Sequence, residues 1–295
     1  MNWTFWLCIM SPHMSELVRA LASMPDHTVT VVAEQELGEI RKSIGWNPPD
    51  CSPARVLIRP QDNEIEQLIV RSGQESVHMI GAGKRGSINR RVLSPLAKTG
   101  AMVGLMSEGG DNRGILGLAR RAKYFLDRYF IQDKIDFLIA MGQSGVRWYE
   151  FAGYSSSRIF PFIYVTERPV STPESSNDWE KTETFHILYL GHFIRRKDGI
   201  TAIRALAGIS DLDWQFDLVG NGTELERWQN AAAKNGIADR IRFHQAVNNR
   251  MIGNLLKHTD LLLLPSRFDG WGAVVNEALM CGVPVVCSDN CGAAD

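Results

Sequence analysis

The sequence predicts an α/β protein built from two doubly wound parallel sheets, and three observations support this fold class. Short apolar runs typical of buried parallel strands alternate along the chain with segments of helical periodicity. The length of 295 residues suggests about two domains. A polar stretch rich in Pro and Ser, residues 167–183, interrupts the alternation. We therefore expect an N-terminal domain over residues 1–168, a linker over 169–183 and a C-terminal domain over 184–295.

The individual strands are predicted where short apolar runs end at a glycine, a proline or a polar turn. In the N-terminal half they are expected at residues 3–10, 28–33, 55–58, 77–80, 101–106, 135–141 and 159–165. In the C-terminal half they are expected at residues 185–190, 214–219, 241–244, 261–264 and 283–287.

The composition argues against several classes of partner and site. With 32 basic and 33 acidic residues the charge is balanced, which disfavours a nucleic-acid partner. The five cysteines show no paired zinc spacing and suit a reducing cytoplasm. No apolar run approaches the roughly 18 residues that a spanning helix needs, and the N-terminus lacks the basic region of a signal peptide. We therefore expect a cytoplasmic protein without a metal site.

The stretch 261–289 is the part of the sequence that predicts a ligand site. A buried strand is followed by a glycine-rich loop, and a helix is predicted to begin at Ala273. Open α/β sheets bind ligands at this end of their strands. Gly270 and Gly272 allow backbone amides to approach a ligand, and the helix N-terminus adds a partial positive charge. The combination predicts an anion site, most naturally for a phosphate.

Two carboxylates accompany this predicted phosphate site. Asp269 lies in the loop, and Glu277 lies about one turn into the helix. Ionised carboxylates repel phosphate, but they accept hydrogen bonds, and sugar hydroxyls donate them. A phosphate site flanked by hydroxyl acceptors predicts that a nucleotide-sugar binds here.

These residues resemble a known family. Asp269, seven intervening residues, Glu277 and the following Ala-Leu-Met-Cys-Gly-Val-Pro-Val-Val are similar to the acidic-x7-Glu signature of retaining GT-B glycosyltransferases, the "group 1" or family 4 set. The family usually has Glu at the first position, so Asp269 is a shortened variant. The resemblance implies two Rossmann-like domains facing each other across a cleft. It also implies sugar transfer from a nucleotide-sugar to a glycan or lipid-linked acceptor, with retention of configuration and no cofactor.

The resemblance also implies roles for individual residues. Asp269 is expected to act in catalysis by binding hydroxyls of the transferred sugar, and Glu277 is expected to bind the ribose. Lys197 matches the family's diphosphate-binding Lys, whereas His192 replaces the family's Arg, whose charge Arg195 or Arg196 would then supply. The other expected donor-binding residues are those of the Gly-x-Gly turn and of the loop amides: Gly220, Gly222, Gly270, Trp271, Gly272 and Ala273.

In the N-terminal half the resemblance is architectural. Glu108 follows a predicted strand at the place where many relatives have a catalytic-site histidine. It is either a catalytic residue of the cleft or a solvated loop carboxylate. Residues 11–15 replace the family's usual glycine-rich loop, and His13 in this segment either faces the cleft or is solvated. The family also normally continues beyond a point equivalent to Asp295, so we expect a missing C-terminal end.

One predicted helix, residues 115–134, combines a basic stripe with an apolar face. Its cations include Arg120, Arg121, Lys123 and Arg128. The apolar residues are Leu116, Leu118, Phe125, Leu126, Tyr129 and Phe130. We expect the apolar face to pack on the sheet. The alternative is peripheral contact with an anionic membrane surface, on the inner face of the membrane.

Two further functions remain open from the sequence. The segment Gly81-Ala-Gly-Lys-Arg-Gly86 fits the dinucleotide-binding pattern and follows a strand, which is the best argument for an NAD-dependent oxidoreductase. This pattern does not follow the first strand, and Pro95 interrupts the next helix. A non-catalytic nucleotide-sugar-binding protein is the other alternative, because His192 and Asp269 both depart from the family pattern.

Overall fold

We describe a computed structural model of the chain, which covers residues 1–10, 12–39, 42, 46–81, 87–170 and 183–294. The chain divides into two compact units. The first comprises Met1–Glu39 with Asn47–Glu167, and the second contains Arg168–Asp295. Residues 82–86 of the dinucleotide-type motif and most of the expected linker lie outside the described residues.

The first unit is built on one parallel sheet. Its strands are β1 (Asn2–Ile9), β2 (Thr28–Gln35), β3 (Arg55–Ile58), β4 (Ser76–Gly81), β5 (Met102–Ser107), β6 (Phe137–Met141) and β7 (Ile159–Phe162). The helices are α1 (Ser15–Ala22), α2 (Asp62–Val70), α3 (Ile88–Leu96), α4 (Gly114–Ile131) and α5 (Gly142–Phe151). The strand order is β3-β2-β1-β4-β5-β6-β7, and each neighbouring pair is parallel.

The second unit repeats this architecture on a smaller scale. Its strands are β8 (Phe185–Leu190), β9 (Trp214–Val219), β10 (Ile241–His244), β11 (Leu261–Leu264) and β12 (Val285–Cys287). Its helices are α6 (Gly199–Ala207), α7 (Leu225–Lys234), α8 (Ile252–Lys257) and α9 (Ala273–Met280). The order β10-β9-β8-β11-β12, with all pairs parallel, is that of a doubly wound sheet.

Strand β8 shows why its sheet is covered on both faces. Ile187 and Tyr189 pack with α6 and with Trp228 of α7, whereas the intervening Leu188 packs with Leu255 of α8. Successive side chains of a strand point to opposite faces, so an apolar run without alternation needs helices on both sides. The predicted class, α/β with doubly wound parallel sheets, is confirmed for both units.

Each sheet has a topological switch point, where the direction of the strand order reverses. In the second unit the chain leaves β8 towards β9 on one side, while β11 pairs with β8 on the other. A crevice opens at the carboxyl ends of two such strands because their connections run in opposite directions. The loops that follow Leu190 and Leu264 therefore meet at the position where doubly wound sheets bind ligands.

The expected packing of the helix at 115–134 is wrong. The six apolar residues predicted to face the sheet are exposed: Leu116, Leu118, Phe125, Leu126, Tyr129 and Phe130. Helix α4 instead contacts the unit through Gly117, which approaches the backbone of Asn112, and through Tyr124, which packs edge-on against Trp148. Among the described residues, none of the helices has the length and apolar character needed to cross a bilayer.

Candidate functional site

The candidate site is formed by the loops that follow β8 and β11. The first loop makes a 3-10 turn at Arg195–Lys197 before α6 begins. The backbone N–H of Arg267, in the second loop, donates to the carbonyl of Arg196 at 2.8 Å. The Arg267 guanidinium also donates to both carboxylate oxygens of Asp198, at 2.9 and 3.2 Å. These bonds tie together two loops that lie far apart in the sequence.

Asp269 lies at the centre of this arrangement and is only 9% exposed. The Lys197 ammonium donates to its Oδ2. The guanidinium of Arg196 lies 3.5 Å from its Oδ1 and donates to the carbonyl of Phe268 at 2.8 Å. A carboxylate with so little exposure requires such cationic partners, because burying an unpaired charge is costly. The structure therefore brings together Lys197, Arg196 and Asp269, which the sequence placed in one site.

The backbone around Asp269 is fixed by the segment that follows β12. The Asp269 N–H donates to the carbonyl of Asn290 at 3.0 Å, and the Gly292 N–H donates to the carbonyl of Asp269 at the same distance. The carbonyl of Trp271 accepts from the Ala293 N–H and from the Cys291 thiol, each at 2.9 Å. The loop is thus held before any ligand is bound, as a site of low reorganisation cost requires.

Gly272 marks the point where this loop becomes helix α9. Its φ of 92° lies in the left-handed region, and a Cβ there would lie 2.6 Å from the Cys291 sulfur, so only glycine suits the position. Ala273 is the first residue of α9. The first N–H groups of a helix have no acceptor within it and favour an anion. The buried Trp271 indole donates to Asn276 Oδ1 at 2.8 Å, so any role of Trp271 towards a ligand falls to its backbone.

Gly220 and Gly222 have a packing role that the sequence did not reveal. A Cβ at Gly220 would collide with the Gly191 carbonyl, and one at Gly222 would collide with the Phe193 backbone. The Phe193 N–H also donates to the carbonyl of Asn221 at 2.7 Å. The two glycines let the loop after β9 lie directly against the loop after β8. Their expected approach to a nucleotide stays a prediction.

The site has an excess of positive charge. Arg195, Arg196, Lys197 and Arg267 outnumber Asp198 and Asp269 by two. Burial acts to raise the pKa of Asp198, but hydrogen bonds from Arg267 and Thr201 and the nearby positive charges outweigh it, so the pKa is lowered. His192 has an exposed side chain, and its carbonyl accepts from the Tyr189 hydroxyl at 2.9 Å. The net positive charge of these six side chains suits an anionic ligand. Arg267 is one of the four cations, and the sequence analysis did not predict it.

Glu277 lies on α9, one turn after Ala273, and is partly buried. Burial raises its pKa from the ordinary 4.5 to about 7, so the carboxyl is about half protonated at neutral pH. A group of this kind changes its charge readily when a ligand offers hydrogen bonds to the ionised form. The shift therefore makes Glu277 a candidate for ligand contact, and it also predicts a pH-dependent stability.

We expect Glu277→Gln to stabilise the ligand-free protein at alkaline pH and to leave acidic stability unchanged. Between pH 4.5 and about 7 the folded state holds the Glu277 proton more tightly than the unfolded chain does, so wild-type stability falls as pH rises through this window. Glutamine carries no charge and avoids that loss. The gain at pH 8 should be about 1–3 kcal/mol, roughly 2–10 °C in melting temperature. Exposed Glu226→Gln, on α7, is the control, and an equal gain at pH 5 and pH 8 would contradict the assignment.

Glu108 lies in the first unit, directly after β5. It lines a cavity of about 300 Å³ whose other walls include Met14, Met106 and Tyr164. The Tyr164 hydroxyl donates to Glu108 Oε1 at 2.7 Å, and burial raises the Tyr164 pKa, which keeps this donor protonated. The His13 ring lies 5.4 Å from the Tyr164 ring. Glu108 is therefore a hydrogen-bonded cavity residue, and Tyr164 is a partner that no sequence pattern indicated.

In the ranges that the structure describes, no cluster of three or more His, Cys, Asp or Glu side chains is arranged to hold a metal ion.

A known protein family matches the sequence of the second unit. Residues 171–295 match the family described as "Glycosyl transferases group 1". The chain is similar to a 2-deoxystreptamine N-acetyl-D-glucosaminyltransferase of Niallia circulans, with 27% identity over 37% of this chain and 28% of that protein. It is also similar to a 2-deoxystreptamine glucosyltransferase of Streptomyces kanamyceticus, with 30% identity over 33% of this chain and 26% of the relative. In both cases the match spans less than a third of the relative's length.

Comparison with solved structures covers almost the whole chain. Anabaena HepE in complex with UDP aligns with a TM-score of 0.67 and 14% identity, over 100% of this chain and 82% of the other. The apo form of a lipopolysaccharide outer core galactosyltransferase, WaaB, aligns with a TM-score of 0.62 and 15% identity, over 99% and 81%. At such identities the likeness shows the fold alone, which is GT-B. The match of residues 171–295 to "Glycosyl transferases group 1" confirms the resemblance inferred from the sequence for that part of the chain. The retaining mechanism and family 4 membership stay predictions.

Proposed function

We propose that this chain is a glycosyltransferase that moves a sugar from a nucleoside-diphosphate sugar to an acceptor hydroxyl, with retention of configuration and without a metal. One observation carries the proposal. At the switch point of the second sheet, Lys197 and Arg196 converge on Asp269 immediately before the N-terminus of α9. Cations and helix amides suit a diphosphate, and a carboxylate beside them suits sugar hydroxyls.

The proposed donor contacts divide between phosphate and sugar. Lys197, Arg196 and the amides of residues 270–273 bind the diphosphate. Asp269 accepts hydrogen bonds from hydroxyls of the transferred sugar, and Glu277 accepts them from the ribose. Lys197 then interacts with Asp269 and with the donor phosphate at once, which couples the position of the sugar to that of its leaving group.

The chemical step leaves an oxocarbenium-like sugar and a growing negative charge on the departing phosphate. Fixed donors aimed at that charge lower the barrier, because they need no reorganisation when it develops. Asp269 orients the reacting ring, so its contribution is larger in the transition state than in the bound ground state. In the first unit, Glu108 is the proposed acceptor-side catalytic carboxylate, held by Tyr164.

The proposed donor contact of Glu277 predicts that affinity depends on pH. Ribose hydroxyls stabilise the ionised carboxylate, so binding releases the proton that the free site holds at a pKa of about 7. Affinity for UDP-glucose should rise about tenfold between pH 6 and pH 8 and then level off. UDP-glucose is the suitable probe because its diphosphate is a diester and does not titrate in this range.

Isothermal titration calorimetry of wild type and Glu277→Gln at both pH values tests this expectation. The variant should bind UDP-glucose more weakly than the wild type does at pH 8, and its affinity should not change with pH. In steady-state kinetics, the same variant should chiefly raise KM for the donor. A wild-type affinity that is flat across this range would remove Glu277 from the donor site.

The proposed activity is tested with a donor panel. UDP-sugars come first, because Anabaena HepE has been solved in complexes with UDP and with UDP-glucose. We expect a UDP-sugar to raise the melting temperature, and we expect transfer to release UDP in the presence of EDTA. Stabilisation by NADH alone would instead favour an oxidoreductase. Donor binding without turnover, over a broad acceptor panel, would favour a non-catalytic binding protein.

A further inference from the structure

Helix α4 exposes a continuous apolar face in the first unit. Seven of its large apolar side chains are between 42% and 84% exposed. These are Ile115, Leu116, Leu118, Phe125, Leu126, Tyr129 and Phe130. Single exposed apolar residues are ordinary, but a continuous face of this kind on a protein surface marks an interaction site.

The orientation of the helix is set by its packed side. Gly117, Tyr124 and Ile131 face the unit, and Asp127 lies on the flank of that side, 3.3 Å from Arg90 of α3. At 100° per residue, the positions opposite them are Ile115, Leu118, Ala122, Leu126 and Tyr129. The outward side, which is polar in an ordinary surface helix, is therefore the apolar one. We call the seven exposed large apolar residues of α4, together with Ala122, the apolar face.

Cations flank the apolar face. Arg121 lies over the ring of Phe151, itself exposed at the end of α5, with 3.5 Å between the guanidinium carbon and the ring centroid. Arg128 lies over the rings of Phe125 and Tyr129, at 4.6 and 4.8 Å. Lys123 lies at the edge of the apolar face, whereas Arg120 lies on the side of Asp127 and Ile131 and donates to the Asp111 carbonyl at 2.9 Å. Asp127 is the single acidic residue of α4. The helix thus has three more positive than negative charges.

We propose that the apolar face of α4 docks on a lipid bilayer that contains anionic lipids. The apolar side chains would enter the boundary between headgroups and acyl chains, and the flanking Arg and Lys would bind the headgroups. Apolar burial and attraction to anionic headgroups are the two contributions that hold an amphipathic helix in an interface. The charge pattern favours this occupant over a second copy of the chain, because two copies would bring their cations together.

Cosedimentation with vesicles tests the proposal without any donor or acceptor, so its outcome is independent of the proposed activity. We expect the protein to bind vesicles of phosphatidylcholine mixed with phosphatidylglycerol at low salt. Binding to phosphatidylcholine alone should be roughly tenfold weaker or more, and high salt should weaken the first interaction towards the second.

A double surface variant of the apolar face is compared with a single surface variant elsewhere in the same unit. Leu126→Ser combined with Phe130→Ser removes two side chains that are about equally exposed, so the fold should be retained, and vesicle affinity should fall by about tenfold or more. Val70→Ser changes an 82% exposed apolar residue at the end of α2 and should bind like the wild type. Lys123→Gln should lower affinity for the anionic vesicles alone, by roughly fivefold.

The proposal is overturned if the wild type does not bind anionic vesicles, or if the double variant binds them as well as the wild type does. Light scattering adds a further decisive outcome. Self-association that the double variant abolishes, together with no vesicle binding, would assign the apolar face to a second copy of the chain.

Discussion

Asp269→Asn is expected to lower kcat by about 10²–10³. The substitution keeps the shape of a side chain that is almost fully buried, but it removes the charge that Lys197 and Arg196 contact. An amide accepts fewer hydrogen bonds from sugar hydroxyls and does not balance an oxocarbenium-like ring. Steady-state kinetics with a saturating UDP-sugar would measure this loss.

The same variant should retain its affinity for UDP, or bind UDP more tightly. Without the Asp269 carboxylate, Lys197 and Arg196 lose an anionic partner and interact more strongly with phosphate. Asp211→Asn, at an exposed position in the turn before β9, is the control for the loss of a negative charge outside the site. A loss of UDP affinity equal to the loss in kcat would contradict the proposed role and would indicate that Asp269 holds the loop in place.

The strands of both units were predictable because most are short segments rich in apolar, aromatic and β-branched residues that end at polar or glycine-containing turns. β8, β9, β10 and β11 begin and end where the sequence indicated. The deviations fall at strand ends next to polar or proline-containing turns. β7 ends at Phe162, three residues before its apolar run does, because Ile163 no longer pairs with β6. Pairing with a neighbouring strand, which the local sequence does not encode, decides such ends.

The orientation of α4 was not predictable for a physical reason. Hydrophobic periodicity identifies the apolar side of a helix, but it does not reveal what that side contacts. The packed side depends on a close approach at Gly117 and on aromatic contacts of Tyr124 with Trp148 and Tyr149. The Gly117 contact is with the backbone of Asn112, in the loop just before α4, whereas the Tyr124 contacts are with another helix, α5. The composition of α4 alone contains no signal for either.

For the candidate site, the sequence indicated the residues better than their interactions. The ends of β8 and β11 were expected to carry Lys197 and Asp269, and the strand order places both loops at one switch point. The ion pair between them joins positions 72 residues apart and depends on β8 and β11 being neighbours. Arg267 was missed for the same reason, because its carboxylate partner lies in the other loop.

Lys197→Ala is expected to weaken UDP-sugar and UDP binding by roughly 1.5–3 kcal/mol, the range of a charge-assisted contact. The Lys197 side chain is nearly buried, so the charge it offers is poorly screened by solvent. When the Lys197 ammonium is removed, Arg196 still lies 3.5 Å from the Asp269 carboxylate, but the neutralisation is weaker. The carboxylate then repels the incoming diphosphate. Calorimetry with UDP at several salt concentrations would show weaker binding and a smaller salt dependence.

A double-mutant cycle separates the two causes of this loss. If Lys197 acts on phosphate directly, combining Lys197→Ala with Asp269→Asn should leave much of the loss in place. If Lys197 mainly neutralises Asp269, the double variant should bind UDP almost as the wild type does, because neither the charge nor its partner remains. Lys234→Ala, at the exposed end of α7, controls for a general loss of positive charge. Unchanged UDP affinity in Lys197→Ala itself would remove Lys197 from the phosphate site and assign the contact to Arg195 and Arg196.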